Sequence, residues 1–152
     1  MPINRSPGNR PLPGEHLGAE LAETGRVWRG LLDQRLQSLG LSQARWLILL
    51  HLSKRPQGLK QVELATRIGI RPASLSRQVE RLVQQGWVQR NCTQGDRRSN
   101  TLCLTKQARN LSQQIMQTAA RVREELLTGL VAEDIECCER VLAHIRRRAP
   151  SL

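Results

Sequence analysis

Apolar residues recur at helical spacing over most of this chain. Between Glu15 and Leu39 they form one broad apolar face, and Gly40 should end this first helix. Ser42 is a suitable N-cap for a second helix, which is apolar on nearly all sides and should therefore be buried. Further helices are predicted over about residues 60–67, 72–85 and 105–129 and from about Glu133 onward. The spacing therefore predicts a mainly helical protein.

Two short segments break the helical spacing and resemble β-strands. Trp87–Cys92 and Ser99–Leu104 are separated by a polar stretch with Gly95 at the turn, as in a β-hairpin. The hairpin directly follows two short helices that Gly69 separates. A helix pair followed by a hairpin predicts a winged helix-turn-helix, a mainly α (α+β) fold that docks its second helix on DNA.

These elements divide a single structural domain into regions. Residues 1–14 hold four prolines and two glycines, so we expect a flexible N-terminal arm there. Residues 41–104 form the predicted winged helix-turn-helix. Residues 15–40 and 105–148 form long helices that are more apolar than one short chain can bury. They are therefore expected to be the dimerisation region.

The helix over residues 72–85 has two unlike faces. Pro72 suits its first position, because proline is preorganised for a helix start. Its apolar face consists of Leu75, Val79, Leu82 and Val83. Its opposite face consists of Ser74, Arg77, Gln78 and Arg81. Arginine and glutamine fork onto guanine and adenine edges, and serine can bind a phosphate or a base edge, so this face is expected to contact DNA in the major groove.

Positive charge is concentrated in the same part of the chain. Residues 60–109 hold ten basic and three acidic residues, so +7 of the formal net charge of +11 lies in one third of the sequence. Such a field attracts a polyanion, and neutralised phosphates release counterions. At the hairpin tip, Arg97 and Arg98 should reach the minor groove, whose negative potential favours an inserted arginine. Double-stranded DNA is therefore the expected partner.

Neither the apolar runs nor the cysteines indicate export or a membrane. No apolar run reaches the roughly 20 residues that cross a bilayer, and no apolar segment follows the N-terminal arginines. The four cysteines include no C-x-x-C pair, which favours mostly reduced thiols in the cytoplasm. Cys92 and Cys103 are not expected to pair, because the turn offsets them along the ladder. Cys138 lies on the apolar stripe of the last helix, and Cys137 lies off it.

Several motifs together carry a resemblance to a known family. They are Leu41-Ser42-Gln43-Ala44-Arg45-Trp46, Leu64-Ala65-Thr66-Arg67-Ile68-Gly69-Ile70, Ser74-Leu75-Ser76-Arg77, Gly86-Trp87-Val88-Gln89-Arg90, Asp96-Arg97-Arg98 and Leu104-Thr105-Lys106-Gln107-Ala108. The chain resembles the MarR family of bacterial transcriptional regulators over about residues 17–146. Its first helix, over residues 27–36, is similar to the SlyA-like branch in particular.

This resemblance implies a homodimer whose terminal helices interlock and whose two winged domains bind a palindromic promoter site, to repress or to activate. It assigns recognition-helix contacts to Ser74, Ser76 and Arg77 and the minor-groove contact to Arg97. Arg71 stands where relatives more often have an acidic or polar residue, and we expect it to add a contact. The expected location is the bacterial cytoplasm, in association with the nucleoid, and no cofactor is expected.

Many members of this family change their DNA affinity when they bind small aromatic anions between the dimerisation and DNA-binding regions. The resemblance therefore implies a similar cleft, lined by tryptophan rings and cationic side chains. The candidates are Arg26, Trp28, Arg29, Arg45, Trp46 and His51. The alternative is that Trp28 and Trp46 are both core residues, as large apolar side chains usually are.

Two other classes of function would require different sequence features from those of a specific regulator. An enzyme is not expected, because the sequence has no Walker loop, dinucleotide glycine motif or H-E-x-x-H. His16, His51 and His144 lack the carboxylate or cysteine neighbours that a metal site or a catalytic triad requires. A non-specific architectural DNA-binding protein would share the positive charge, but it would not need a polar face at helical spacing. A non-specific architectural DNA-binding protein therefore stays open as the alternative to a specific regulator.

Overall fold

The structure, a computed structural model, describes residues 12–90 and 101–151. Its helices are α1 (Leu17–Leu36), α2 (Gln43–Ser53), α3 (Gln61–Ile68), α4 (Pro72–Gln84), α5 (Arg109–Leu127) and α6 (Ala132–Arg148). Its strands are β1 (Leu59–Lys60), β2 (Val88–Arg90) and β3 (Thr101–Leu104). This arrangement confirms the predicted mainly helical winged helix-turn-helix. The predictions for the N-terminal arm up to residue 11 and for the hairpin tip fall outside the described residues.

The three strands form one small antiparallel sheet in the order β1-β3-β2. The central strand β3 pairs with β2 through Val88 opposite Leu104, and with β1 through Leu59 opposite Leu102. Strand β1 was not predicted, because two residues are too few to show the alternation of a strand. It forms because Leu59 is buried while the backbone of β1 completes the hydrogen bonding of β3.

Helix α2 lies at the centre of the hydrophobic core, which confirms its predicted burial. Trp46, Ile48 and Leu49 have no exposed surface, and α2 packs against α4, α5 and β3 among its neighbours. The indole N–H of Trp46 donates a hydrogen bond to Asp33 Oδ1 on α1 at 2.9 Å. The indole ring of Trp46 is therefore buried in the core while its N–H keeps a hydrogen-bond partner.

The start of α5 differs from the prediction. The helix was predicted to begin at about residue 105, but α5 begins at Arg109 and Ala108 occupies the N-cap position. The hydroxyl of Thr105 instead donates to the carbonyl of Gly86 at 2.5 Å and accepts from the N–H of Ala108 at 3.3 Å. Its bond to Gly86 ties the segment before α5 to the end of the α4 region, a long-range partner that sequence spacing cannot indicate.

The terminal helices leave much apolar surface uncovered. On α1, Leu32 and Leu36 are buried, whereas Leu17, Leu21 and Val27 are 41%, 36% and 59% exposed. On α6, none of the residues is buried. The apolar faces predicted for these helices are therefore present, but within the described part of the chain only the C-terminal half of α1 is covered.

The cysteines depart from the prediction at two positions. Cys103 was expected to be unpaired, but it takes part in a disulfide. The expectation was that Cys92 and Cys103 are offset along a ladder that continues to Cys92. Cys92 lies outside the described residues, and the described ladder ends with Arg90 opposite Leu102. Cys138 was expected to be buried, but it is exposed and free, as is Cys137. The described chain buries no residue of α6, so the thiol of Cys138 stays exposed.

Candidate nucleic-acid interface

Helix α4 presents a one-sided polar surface, as predicted from its spacing. Leu75, Val79 and Leu82 have no exposed surface and anchor the helix on the core. Pro72 occupies its first turn, and the N-cap residue Arg71 is extended. The exposed cationic side chains of this element are Arg71, Arg77 and Arg81. A rigid helix therefore displays three guanidinium groups in a position to bind phosphates and base edges.

The turn between α3 and α4 sets the angle at which α4 is displayed. Gly69 has a φ of +76°, a left-handed conformation that favours glycine. The N–H groups of Gly69 and Ile70 both donate to the carbonyl of Ala65, at 2.9 and 3.2 Å. Ala65 is itself buried, so α3 lies close to the core. These contacts confirm a tight helix-turn-helix in which α3 braces α4.

Three of the predicted contact residues on α4, namely Ser74, Ser76 and Gln78, are half-buried. The hydroxyl of Ser76 is half-buried and accepts a hydrogen bond from Gln61 Nε2 at 2.6 Å. Oε1 of Gln78 is buried and has no hydrogen-bond partner among the described residues. A base contact by Gln78 therefore requires its side chain to turn outward. Ser74 is half-buried and accepts a long hydrogen bond, 3.5 Å, from Arg77 Nη2.

A polar network joins α3, α4 and β2 behind the exposed face. Gln61 Oε1 accepts a hydrogen bond from Arg90 Nη1 at 2.8 Å, while its Nε2 donates to Ser76. The guanidinium of Arg90 also lies 3.6 Å from Glu80 Oε2 on α4. We call Gln61, Ser76, Glu80 and Arg90 the Gln61 network. Sequence reasoning missed Gln61 and Arg90, because their contacts span three elements that no periodic spacing relates.

The hairpin that follows α4 is described only at its base. Strands β2 and β3 pair as predicted, and Val88 and Leu102 attach them to the core. Arg97 and Arg98, the predicted minor-groove residues, lie outside the described residues. Arg90, the last described residue of β2, is held by the Gln61 network.

The six effector candidates do not line one cleft. Trp46 is in the core, which was the alternative interpretation of this residue. Arg45 is half-buried and donates to Ser42 Oγ at 3.2 Å, and Arg26 is exposed. Arg29 lines a pocket next to the α3–α4 turn, and His51 lines another with residues of α3 and Arg146. Of the six, Trp28 alone reaches the pocket described next.

A pocket of about 290 Å³ lies between α1, α2 and α5. Its lining residues are Trp28, Leu32, Leu50, Lys54, Met116, Ala119, Ala120 and Arg123. The walls are therefore mostly apolar, with an aromatic ring at one side and two cationic side chains. Sequence reasoning missed Lys54 and Arg123. Lys54 follows the lining residue Leu50 by four positions, and Arg123 follows the lining residue Ala119 by four positions. Residues four apart share a helix face, so this spacing was the available signal.

The described residues carry no sign of a metal centre or a membrane segment. Among them, no three histidine, cysteine, aspartate or glutamate side chains are grouped so that they could hold a metal ion. Within the same residues, no helix combines the length and hydropathy that crossing a bilayer requires.

Comparison with known proteins places this geometry in a family. The MarR family model matches residues 39–99, from just after α1 to a point beyond β2 in the chain. The solved structure of transcriptional regulator PA3341 is 40% identical, covers 90% of this chain and 99% of its own, and has a TM-score of 0.84.

Two more distant structures share the fold. The transcriptional regulator SlyA is 20% identical, with a TM-score of 0.73 over 88% of this chain and 93% of its own. CouR from Rhodococcus jostii RHA1, solved with p-coumaroyl-CoA bound, is 20% identical, with a TM-score of 0.77 over 90% of this chain and 95% of its own. The family model, the close similarity to PA3341 and the displayed α4 agree: the chain belongs to the MarR family of transcriptional regulators.

Proposed function

We propose that this protein is a dimeric, sequence-specific DNA-binding transcriptional regulator that binds palindromic promoter sites. The observation that carries the proposal is the two-sided α4, which buries Leu75, Val79 and Leu82 and exposes Arg71, Arg77 and Arg81. Arg77 and Arg81 are one helical turn apart, so both can enter one groove. Arg97 and Arg98 are proposed to add contacts from the hairpin tip.

The proposed dimer follows from the uncovered surface of the terminal helices. The exposed residues of α1, together with α6, form apolar surface that a second copy would bury. A groove of about 450 Å³ between α1 and α5, lined by Val27, Trp28 and Leu130 among others, belongs to the same surface. Two copies related by a twofold axis would present two α4 helices to half-sites about one helical turn apart.

The test is selection of bound sequences from a random duplex pool at physiological salt. A palindrome with half-sites about 10 base pairs apart is the expected result. A pool without any preferred sequence, recovered with tight binding, would instead support a non-specific architectural protein, and α4 would then be a phosphate-contacting surface. The specificity ratio against random competitor DNA separates these two functions quantitatively.

We further propose that a small aromatic carboxylate regulates DNA binding from the pocket between α1, α2 and α5. Trp28 offers a ring for stacking, and Lys54 and Arg123 offer charge to a carboxylate. The pocket of about 290 Å³ suits a single ring rather than a large ester. Because it lies between the helices of the proposed dimer base and the core helix that supports α4, a ligand there would bias the spacing of the two recognition helices.

Titration with salicylate tests this regulation. DNA affinity should fall at millimolar or lower ligand, and Lys54→Met or Arg123→Met should reduce the response. Arg121→Met, on the same helix but outside the pocket, is the matched control and should respond like the wild type. Unchanged DNA affinity throughout the titration would remove this ligand class from the proposal while leaving DNA recognition untouched.

The SlyA-like assignment is kept as a proposal on the sequence of α1. The similarity of residues 27–36 to that branch is its support, and SlyA itself is 20% identical over the aligned chain. A regulator of that branch would relieve silencing as well as repress. Comparing transcription from a selected promoter with and without a silencing protein would separate the two modes.

A further inference from the structure

We propose that the Gln61 network is a positioning device that fixes the hairpin relative to the recognition helix, and that Ser76 serves this network rather than DNA. The proposal rests on the proposed DNA-binding function. It changes the role that the family resemblance gives to Ser76, and it assigns roles to Gln61 and Arg90, to which the resemblance gave none.

The amide of Gln61 uses both of its polar groups at once. Its Nε2 donates to Ser76 Oγ at 2.6 Å, and its Oε1 accepts from Arg90 Nη1 at 2.8 Å. An amide is suited to bridge a hydroxyl and a guanidinium in this way, because it carries a donor and an acceptor on one planar group. The side chain of Gln61 is half-buried, so water competes less with these bonds than on the open surface.

Arg90 extends the bridge to the hairpin. It is the last described residue of β2 and contacts α3 through Gln61 and α4 through Glu80. Holding one strand residue against two helices fixes the direction in which the hairpin leaves the sheet. The contact with Glu80 also neutralises the acidic side chain of α4, which would otherwise repel the phosphates that the arginines of α4 attract.

The position of Ser76 agrees with an internal role. Its hydroxyl is half-buried and already bonded, whereas the neighbouring Arg77 is exposed. Ser76 and Arg77 are therefore neighbours on α4 with different roles. In this proposal the side chain of Arg77 faces DNA, and the side chain of Ser76 faces α3. A base contact by Ser76 would require its hydroxyl to give up the hydrogen bond from Gln61. The protein would then lose one hydrogen bond for each hydrogen bond that Ser76 formed with DNA.

A double-mutant cycle tests the assignment. The affinity for a duplex selected by the wild-type protein is measured for Gln61→Ala, Ser76→Ala and the double variant. Ser76→Ala should weaken specific binding roughly two- to tenfold, the effect of one hydrogen bond, and Gln61→Ala at least as much, because it removes two. The double variant should match Gln61→Ala, because Gln61→Ala already breaks the bond that Ser76→Ala removes. Non-specific affinity should stay unchanged, so the specificity ratio should fall by the same factor.

The other outcomes each overturn the proposal. Additive losses would mean that Ser76 contacts DNA independently of Gln61. Unchanged affinity with a lower unfolding midpoint would mean that the network only stabilises the fold, and unchanged affinity and midpoint would mean that it has no role. Gln113→Ala, at an exposed position of α5, is the matched control and should bind like the wild type.

The cycle is separable from the test of the proposed function. The wild-type protein must first select a sequence from the random pool, and failure at that step concerns the proposed function alone. Once a duplex has been selected, specific recognition is established, and any result of the cycle concerns only the Gln61 network.

Discussion

Arg77 and Arg81 lie one helical turn apart on α4, and neither has a carboxylate partner within the described residues. Their charge is therefore available to a ligand, unlike that of Arg67, which pairs with Glu63 at 2.8 Å. At the scale of single residues, this difference separates the arginines that can bind DNA from those that stabilise the surface.

Arg77→Ala should weaken binding to the selected duplex by about 5- to 100-fold, because a bidentate arginine–guanine contact discriminates by about 1–3 kcal/mol. It should also relax the preference for one base in each half-site. Repeating the selection with the variant measures both effects. Arg121→Ala, on α5, removes the same charge away from α4 and is the control. An unchanged base preference would show that Arg77 binds phosphate only.

His51 gives the protein a pH-dependent stability. Burial lowers the pKa of His51, and the positive charges of Lys54 and Arg67 lower it further. The folded protein therefore disfavours the proton that the unfolded chain accepts near pH 6.5, so folding is favoured fully above about pH 6.5 and less as the pH falls toward the lowered pKa. His51→Gln should flatten this dependence below about pH 6.5, measured by urea unfolding.

The matched control for this experiment is His144→Gln, an exposed position on α6. It should keep the pH dependence of the wild type. If His51→Gln kept it as well, the pH dependence would not come from His51.

At the scale of elements, α6 differs from the other helices because none of its residues is buried. Its Ile145 is 37% exposed and Val141 is 44% exposed. An isolated helix of this length is marginally stable in water, so its apolar stripe requires a partner. In the proposed dimer, that partner is the second copy.

Leu142→Glu should convert the dimer into a monomer without unfolding the DNA-binding region, because α6 adds no buried residue to the core. Light scattering after gel filtration measures the mass, and circular dichroism measures the retained helix. Arg140→Glu, on the same helix but away from the apolar stripe of Ile135, Cys138, Leu142 and Ile145, is the control and should remain dimeric. A Leu142→Glu protein that stayed dimeric would place the interface elsewhere.

The elements differ in how far their sequences could predict them. The bounds of α2, α3 and α4 follow from apolar periodicity and from Ser42, Pro72 and Gly69, because these signals act within a few residues. Strand β1, the role of Thr105 and the Gln61 network depend on partners far along the chain, which periodicity does not encode. For the same reason, the sequence indicated which side of α4 is polar, but it did not indicate that Ser76 is bonded to Gln61.

At the scale of the whole molecule, the formal net charge of +11 per chain would govern encounter with DNA in the proposed function. The attraction is long-ranged and independent of sequence, so it should accelerate association with any duplex. The local contacts of α4 then determine where the protein remains bound.

Affinity for the selected duplex should fall steeply with salt. For about six to ten phosphate contacts in a dimer, the loss between about 50 and 200 mM salt should be about 10³- to 10⁵-fold. A titration with fluorescently labelled duplex at a series of salt concentrations gives the slope. A shallow slope would contradict a binding surface built mainly from arginine–phosphate contacts.

The order of elements along the chain has a consequence for synthesis. The residues of α4 leave the ribosome well before those of α6, because α6 follows α4 and α5 along the chain. Assembly through α6 therefore cannot begin until the residues of α6 have been translated. A chain terminated before α6 would carry the helix proposed to contact DNA without the helix proposed to join two copies. In the proposed dimer, such a fragment would occupy only one half-site, and a chain that contains α6 would displace it readily.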